Sequence, residues 1–387
     1  MKRCAWPLVI VFAVLGAIGL LVVGLGLVPV GASSGHLAVT SWLLHFTMRQ
    51  AVQTRALGIE APALDDRALV VRGAGHFDSG CAPCHGAPGV AQSEIALQTT
   101  PPPPELEPLI HEWQPRELFW IVKHGVKYTG MPAWVAQQRD DEVWAVVAFL
   151  LQLPELEPDE YRKLAHGEPA GHDNGSTRGA ADGRHSNGAG LQALQASSGA
   201  LLRSCSRCHL RDGSGRGDGA FPRLADQNET YLFTALQAFA EGTRFSGIMQ
   251  PLVAGLDETA MRDLARHYAS QEAVPVAQQQ SIAGAALRRG ADIARHGIPE
   301  RGVPSCIHCH GPSQAPHNPY YPVLAGQYAA YLIQQLELFH AEKRGGGPFR
   351  RIMNAVAHRL EPDQIRDVAA YYASLPPAAA NASADQH

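Results

Sequence analysis

Three copies of the five-residue pattern C-x-x-C-H constrain this chain more than any other feature of its sequence. The copies begin at Cys81, Cys205 and Cys306 and account for six of the seven cysteines, the other being Cys4. This spacing is typical of c-type haem attachment, because two thiols form thioethers to the haem vinyl groups and the adjacent imidazole binds the iron. The pattern therefore predicts three covalently bound haem c groups. The predicted attachment residues are Cys81, Cys84, Cys205, Cys208, Cys306 and Cys309, and the predicted proximal iron ligands are His85, His209 and His310.

Two other uses of paired cysteines fit the pattern less well. A structural zinc site needs four ligands and commonly uses two such pairs packed together, whereas these pairs lie far apart and each carries its own histidine. Thioredoxin-like redox chemistry gives no reason for a histidine after every second cysteine. Both alternatives are therefore weaker than haem attachment.

Methionine is the second axial ligand in many electron-transfer cytochromes. Met131, Met249 and Met353 each follow one haem motif and are expected in a loop-like stretch just before a final helix, so they are the candidate distal ligands. Met261 instead recurs with apolar neighbours at helical spacing, which favours a place in the core.

Bis-histidine ligation is the alternative to methionine. The chain has 18 histidines, and His124, His340 and His358 lie outside the motifs as spare candidates.

Pro222 and Pro322 follow the second and third motifs at similar distances. Either carbonyl could accept the N–H of the motif histidine, which would orient the ring and strengthen its donation to iron. An ordinary loop proline is an equally good interpretation of the sequence.

The second and third motifs belong to an internal repeat. FPRLADQNETYLFTALQAF at 221–239 matches YPVLAGQYAAYLIQQLELF at 321–339, and MRDLARHYAS at 261–270 matches IRDVAAYYAS at 365–374. Each copy has apolar residues at helical spacing. We therefore expect an all-α fold in which the last two units form a tandem pair.

The N-terminus carries an uncharged run at 5–30 behind Lys2 and Arg3. About 20 apolar residues suffice for a membrane-spanning helix, and basic residues tend to stay in the cytoplasm. We therefore expect a single-pass anchor in the inner (cytoplasmic) membrane, with the haem domains in the periplasm. Cleavage near Ala32 is the alternative.

The composition of the chain changes several times along its length and predicts the following organisation. The glycine-rich stretch before residue 190 favours a flexible linker, and the residues before the first motif fit either a helix at the bilayer surface or an amphipathic core helix. The predicted ranges are a membrane anchor at 1–35, a membrane-proximal helix at 36–65, domain 1 at 66–160, a linker at 161–190, domain 2 at 191–275, domain 3 at 280–376 and a disordered tail at 377–387.

These residues resemble known cytochromes. Residues 190–376, with CSRCH, CIHCH and two P-x-L-A-x-Q stretches, resemble the dihaem cytochromes c4, whose two domains face each other across a pseudo-twofold axis. Residues 66–160, with the GMPAW methionine loop, resemble a class I cytochrome c domain. The resemblance implies three small class I cytochrome c domains, the last two a c4-like pair.

Filled axial positions leave the iron no site for substrate, so the sequence predicts an electron carrier rather than an enzyme. The expected role is relay of single electrons between periplasmic respiratory partners, toward a terminal oxidase. One alternative is the cytochrome subunit of a membrane-bound dehydrogenase that passes electrons to quinone, which the three-haem composition also resembles. The other is a haem peroxidase. The net charge of −4, with the two signs mixed along the chain, gives no indication of a nucleic-acid partner.

Overall fold

Helices carry nearly all the regular structure of the chain. The computed structural model describes residues 5–167, 198–216, 219–273, 284–312 and 317–377. Within these ranges the extended structure is limited to isolated β-bridges. The prediction of an all-α chain is therefore confirmed for the described residues. The predicted linker falls outside them from residue 168 onward, as does the predicted tail from residue 378 onward.

The helices form an N-terminal pair and three segments that each contain one haem motif. The N-terminal pair is α1 (Ala5–Gly24) and α2 (Ala38–Ala56). The first segment, residues 67–166, contains α3 (Arg67–Gly80), α4 (Ala82–His85), α5 (Glu94–Leu97), α6 (Pro115–His124), α7 (Asp140–Leu150) and α8 (Pro158–His166). The second segment, residues 198–273, contains α9 (Ser198–His209), α10 (Glu229–Ala240), α11 (Met249–Val253) and α12 (Glu258–Ala269). The third segment, residues 284–377, contains α13 (Gly284–His296), α14 (Ile307–His310), α15 (Ala329–His340), α16 (Arg350–Ala357) and α17 (Pro362–Ser374).

In the first segment, the helix before the haem motif packs against the last long helix through a glycine. A Cβ on Gly73 of α3 would lie 1.9 Å from the carbonyl oxygen of Ala145 on α7, so only glycine permits this approach. Beside the crossing, Phe77 and Phe149 are fully buried with ring centroids 5.0 Å apart. This contact holds the motif at the end of a rigid helix pair.

The third segment has the same close helix crossing at a glycine. A Cβ on Gly290 of α13 would lie 2.0 Å from the carbonyl oxygen of Asp367 on α17. The side chain of Asp367 also accepts two hydrogen bonds from Arg289, at 2.6 and 2.8 Å. The second segment has a smaller core in which Leu232, Ala265 and Tyr268 are buried.

The two N-terminal helices differ in their environment. The C-terminal half of α2 packs against the first segment, where Val52 and Ala56 are fully buried and Arg49 lies over the ring of Trp113. Helix α1 covers most of the predicted anchor. Within the described ranges, no helix is both long and apolar enough to cross a membrane. The predicted transmembrane helix thus has no support from the described residues.

The glycine at the α13–α17 crossing predicts a specific loss of stability. Gly290→Ala should lower the free energy of unfolding by about 1–3 kcal/mol, because the added methyl group would meet backbone that cannot move aside. Gly284→Ala at the start of the same helix is the control, since the nearest atom to its Cβ would be Arg288 Nη1 at 3.6 Å. Urea unfolding followed by circular dichroism measures both, and equal losses would contradict the explanation.

Candidate haem-binding site

The first motif lies where one helix ends and a short one begins. Cys81 caps α3 and precedes α4, which contains Cys84, ends at His85 and is followed by Gly86 with φ of 72°. A backbone conformation with positive φ favours glycine, and it ends the helix directly after the histidine. The third motif is built in the same way, with Cys306 before α14 and Gly311 after His310. The two cysteines and the histidine therefore share one helical turn in each case.

All three motif histidines are oriented by a proline carbonyl. The Nδ1 atom of His85 lies 2.9 Å from Pro104 O, that of His209 lies 3.1 Å from Pro222 O, and that of His310 lies 2.9 Å from Pro322 O. A carbonyl can only accept, so Nδ1 carries the proton and donates it. This tautomer leaves the Nε2 lone pair of each ring free for a metal.

The sequence left two interpretations open for Pro222 and Pro322, and the contacts agree with the one in which the carbonyl accepts from the histidine. Pro104 was not singled out from the sequence. Pro104 closes the proline run at 101–104, so several carbonyls were available and spacing could not select among them.

Burial also affects the protonation of the imidazoles. It lowers the pKa of His85, His209 and His310, and the hydrogen bond to the proline carbonyl opposes the shift in each case. Because iron binds neutral imidazole, the shift favours the form that a haem ligand requires.

The environment of the cysteines disfavours thiolate chemistry. Burial raises the pKa of Cys81 to about 12 and the pKa values of Cys205 and Cys306 to about 11. A thiolate metal site or a redox-active thiol requires the opposite shift. In the described part of the chain, moreover, no cluster of three or more histidine, cysteine or acidic side chains is placed to hold a metal ion. The residues fit covalent haem better than zinc.

The candidate methionines occupy three different local structures. Met131 lies in the loop between α6 and α7, where its backbone N–H donates to Thr129 Oγ1 at 3.1 Å. Met249 is the first residue of α11, and Met353 lies within α16. The expectation of a loop-like position is therefore wrong for Met249 and Met353, because short helices form there before the final helix. All three side chains are half-buried, and Met261 is buried in α12.

Open space adjoins the first motif. A cavity of about 330 Å³ lies against His85 and is bordered by Val90, Leu106 and Leu153. Gln92, Glu105 and Glu107 line the same cavity, so it offers both apolar contacts and polar groups beside the oriented imidazole. Of the spare histidines, His340 has its Nδ1 2.9 Å from Ala357 O and its ring against that of His358, while the His124 ring packs against Trp120.

The second and third segments are joined by two reciprocal glutamine links. Gln227 donates to Val323 O at 3.0 Å and accepts from Val323 N at 2.7 Å. Gln327, at the equivalent position of the repeat, donates to Arg223 O at 2.9 Å and accepts from Arg223 N at 3.0 Å. The backbone partners in the two links, Val323 and Arg223, directly follow Pro322 and Pro222, whose carbonyls accept from the motif histidines. The sequence shows these glutamines within the repeat, but it does not show their partners.

Two buried arginines reinforce the same interface. Arg244 lies over Phe239 of its own segment and donates to Tyr331 of the other, at 3.3 Å. Arg344 repeats this arrangement with Phe339 and Tyr231, at 3.2 Å. The exchange of partners has the pattern of a twofold axis between the segments.

Comparison with known proteins gives a consistent set of similarities. The model of the family described as cytochrome c oxidase, cbb3-type, subunit III matches residues 68–150, and the cytochrome c family model matches residues 299–376. A thiosulfate dehydrogenase electron acceptor from Thiomonas intermedia is 32% identical over 185 residues, covering 48% of this chain and 84% of the relative. Cytochrome c4 from Pseudomonas aeruginosa is 33% identical over 174 residues, covering 44% of this chain and 83% of the relative. The crystal structure of reduced cytochrome c4 from Pseudomonas stutzeri is 28% identical, with a TM-score of 0.42, and the match covers 46% of this chain and 99% of that one.

The glutamine links predict how firmly the two segments are joined. Gln327→Ala should lower the free energy of unfolding by about 1–3 kcal/mol, because it leaves the buried backbone N–H and carbonyl of Arg223 without partners. Gln227→Ala should have the same effect through Val323. Gln237→Ala on α10 is the control, since Gln237 takes part in neither link. Thermal unfolding checks all three, and a similar melting temperature for every variant would contradict the role of the links.

Proposed function

Because the chain belongs to the family of c-type cytochromes that includes cytochrome c4, we propose that it carries single electrons through three haem c groups. The observation that carries this proposal is the set of three motif histidines, each held by a proline carbonyl with Nε2 free. When bound, haem supplies an iron that takes up and releases one electron. The proposal assigns one haem to each of three domains, at 66–160, 191–275 and 280–376.

The residues of this chain supply attachment, orientation and exclusion of water. The six motif cysteines would form the thioethers, and His85, His209 and His310 would hold the iron from one side. Met131, Met249 and Met353 would hold it from the other. Pro104, Pro222 and Pro322 keep the imidazole rings in place and increase their donation to the metal. Because these side chains would occupy both sides of each iron, a bound haem would supply electron exchange without a place for substrate.

We propose that the electrons pass between respiratory partners on the periplasmic side, toward a terminal oxidase. The match of residues 68–150 to the cbb3-type oxidase subunit III family supports this direction. A second candidate function is to accept electrons from a dehydrogenase. The similarity to a relative named a thiosulfate dehydrogenase electron acceptor favours this function. Copurification separates the two, because a dedicated subunit would be isolated with a catalytic chain whereas a free carrier would reduce an oxidase when purified alone.

The proposal includes an exported location at the inner membrane. It rests on Lys2 and Arg3 before the apolar run at 5–30. The haem-containing chain should stay in the membrane fraction after alkaline carbonate extraction, and protease added to spheroplasts should digest it. Release of a shortened chain by carbonate would instead indicate a cleaved export signal.

The distal ligands are tested by exchange of methionine for histidine. Met131→His, Met249→His and Met353→His should each lower the midpoint potential of one haem by on the order of 100 mV, because axial ligands set haem potentials over about 0.8 V. Spectroelectrochemical titration measures the three potentials. Met261→Leu is the control, since Met261 is buried in α12. An unchanged titration would remove that methionine from the ligand set.

Carbon monoxide provides a separate check on the carrier function. The reduced protein should bind it weakly at all three haems, because each distal position is filled. Strong binding at one haem would favour the peroxidase alternative.

A further inference from the structure

The methionine loops of the first and second segments are in direct contact. Trp134, three residues after Met131, packs against Gly247, two residues before Met249. A Cβ on Gly247 would lie 2.2 Å from Trp134 Nε1, so the indole occupies the space that any other residue would need. The contact therefore depends on the pairing of a large aromatic ring with a glycine.

A buried carboxylate joins the two loops. Glu142, which is 3% exposed, accepts hydrogen bonds from Trp134 Nε1 at 3.2 Å and from Gly247 N at 2.6 Å through one oxygen. Its other oxygen accepts from Ser246 Oγ at 2.7 Å. Ser246 Oγ in turn accepts from Met249 N at 3.1 Å. Through Ser246, Glu142 thus connects the Trp134 indole in the Met131 loop to the backbone N–H of Met249.

An arginine fixes this carboxylate. Arg139 is 8% exposed and lies 3.1 Å from Glu142, while its Nη1 donates to Phe245 O of the second segment at 2.5 Å. A buried network in which every member is satisfied is rigid. The two methionine loops are therefore held in one relative position.

The same segments also meet at the histidine side of the second motif. The His76 ring lies 6.3 Å from the Trp134 ring and 6.3 Å from the Phe221 ring, measured between centroids. Phe221 lies 6.4 Å from the ring of His209, and it directly precedes Pro222. The four rings form a continuous row from the Met131 loop to the proximal ligand of the second motif.

Close packing and ion pairing hold this row in place. A Cβ on Gly75 would lie 2.7 Å from the Phe221 ring, and Arg72 donates to Ala220 O at 3.3 Å. Asp78 of α3 forms an ion pair with Arg207, which lies inside the second motif. The first segment therefore contacts the second beside both of its predicted iron ligands.

We propose that Trp134, His76 and Phe221 form an aromatic bridge, fixed by Glu142, through which single electrons pass between the haem of the first motif and the haem of the second. This inference rests on the proposed function. One iron is oxidised as the other is reduced, and no bond is made or broken. The bridge residues are positioning residues, because they bind neither iron. Packed rings exclude water from the path and keep its length constant.

The bridge is tested by the rate of electron transfer within the holoprotein. A laser flash injects one electron, and haem absorbance then follows its redistribution. Trp134→Leu and Phe221→Leu should each slow transfer between the first and second haems at least tenfold, with haem content and all three potentials unchanged. Trp134→Phe should restore most of the rate, because the ring is retained. Trp113→Leu is the matched control, since Trp113 lies on the α2 side of the same segment.

Two further results decide the inference. Gly247→Ala displaces the indole without altering any ring, and it should slow the same transfer even if a leucine variant loses haem. Rates within twofold of the unaltered protein in Trp134→Leu, Phe221→Leu and Gly247→Ala would overturn the bridge. Fewer than three haems in the unaltered protein would instead overturn the proposed function, so the two failures are distinguishable.

Discussion

The hydrogen bond from each motif histidine to a proline carbonyl joins two parts of each segment that are separate in the sequence. The histidine is fixed in the chain by the cysteine-containing turn, while the proline arrives on a separate loop: Pro104 before α6, Pro222 before α10 and Pro322 before α15. Closing this contact brings the loop over the motif and aligns the helix that follows. Because the bond fixes Nδ1 as the donor, it also decides that Nε2 is the nitrogen free for a metal. Fold and candidate chemistry therefore depend on the same contact.

The interface between the second and third segments places two positive charges in the interior. Burial lowers the pKa of Arg344 to about 10, and the neighbouring Arg244 contributes to the shift. Burial alone would raise the pKa of Tyr231, yet the two guanidinium groups lower it overall. Each arginine is stabilised by an aromatic face on one side and a tyrosine hydroxyl on the other. Removing one of these contacts would leave a buried charge without its partner, which is strongly destabilising, so the pair opposes other relative orientations of the segments.

The sequence predicted those features that depend on local pattern. The three motifs, the helices and the repeat follow from spacing along the chain. Spacing also singled out Pro222 and Pro322, but it left open whether they contact the histidines. It did not predict the contact of Trp134 with Gly247, because residues distant in sequence come together only when two segments dock, and a lone glycine gives no sign of its partner. The short helices at Met249 and Met353 were also missed, since each is too brief to show a clear period. Iron ligation by the three methionines remains a prediction.

The first segment packs against both members of the repeat. In a three-haem chain, this packing would affect the rate of electron transfer between the domains. The start of α7 contacts both segments. Glu142 accepts hydrogen bonds from Ser246 and Gly247 of the second segment. Asp141, which lies beside Arg139 and Glu142, accepts one from Gln334 of the third segment at 2.6 Å. Three domains joined only by linkers would exchange electrons at a rate set by their effective concentration, and hence by linker length. Packing through buried side chains instead makes the encounter permanent. With haem bound as proposed, transfer within the chain would depend on the atoms between the haems, and the length of the connection between the first and second segments could vary without affecting it.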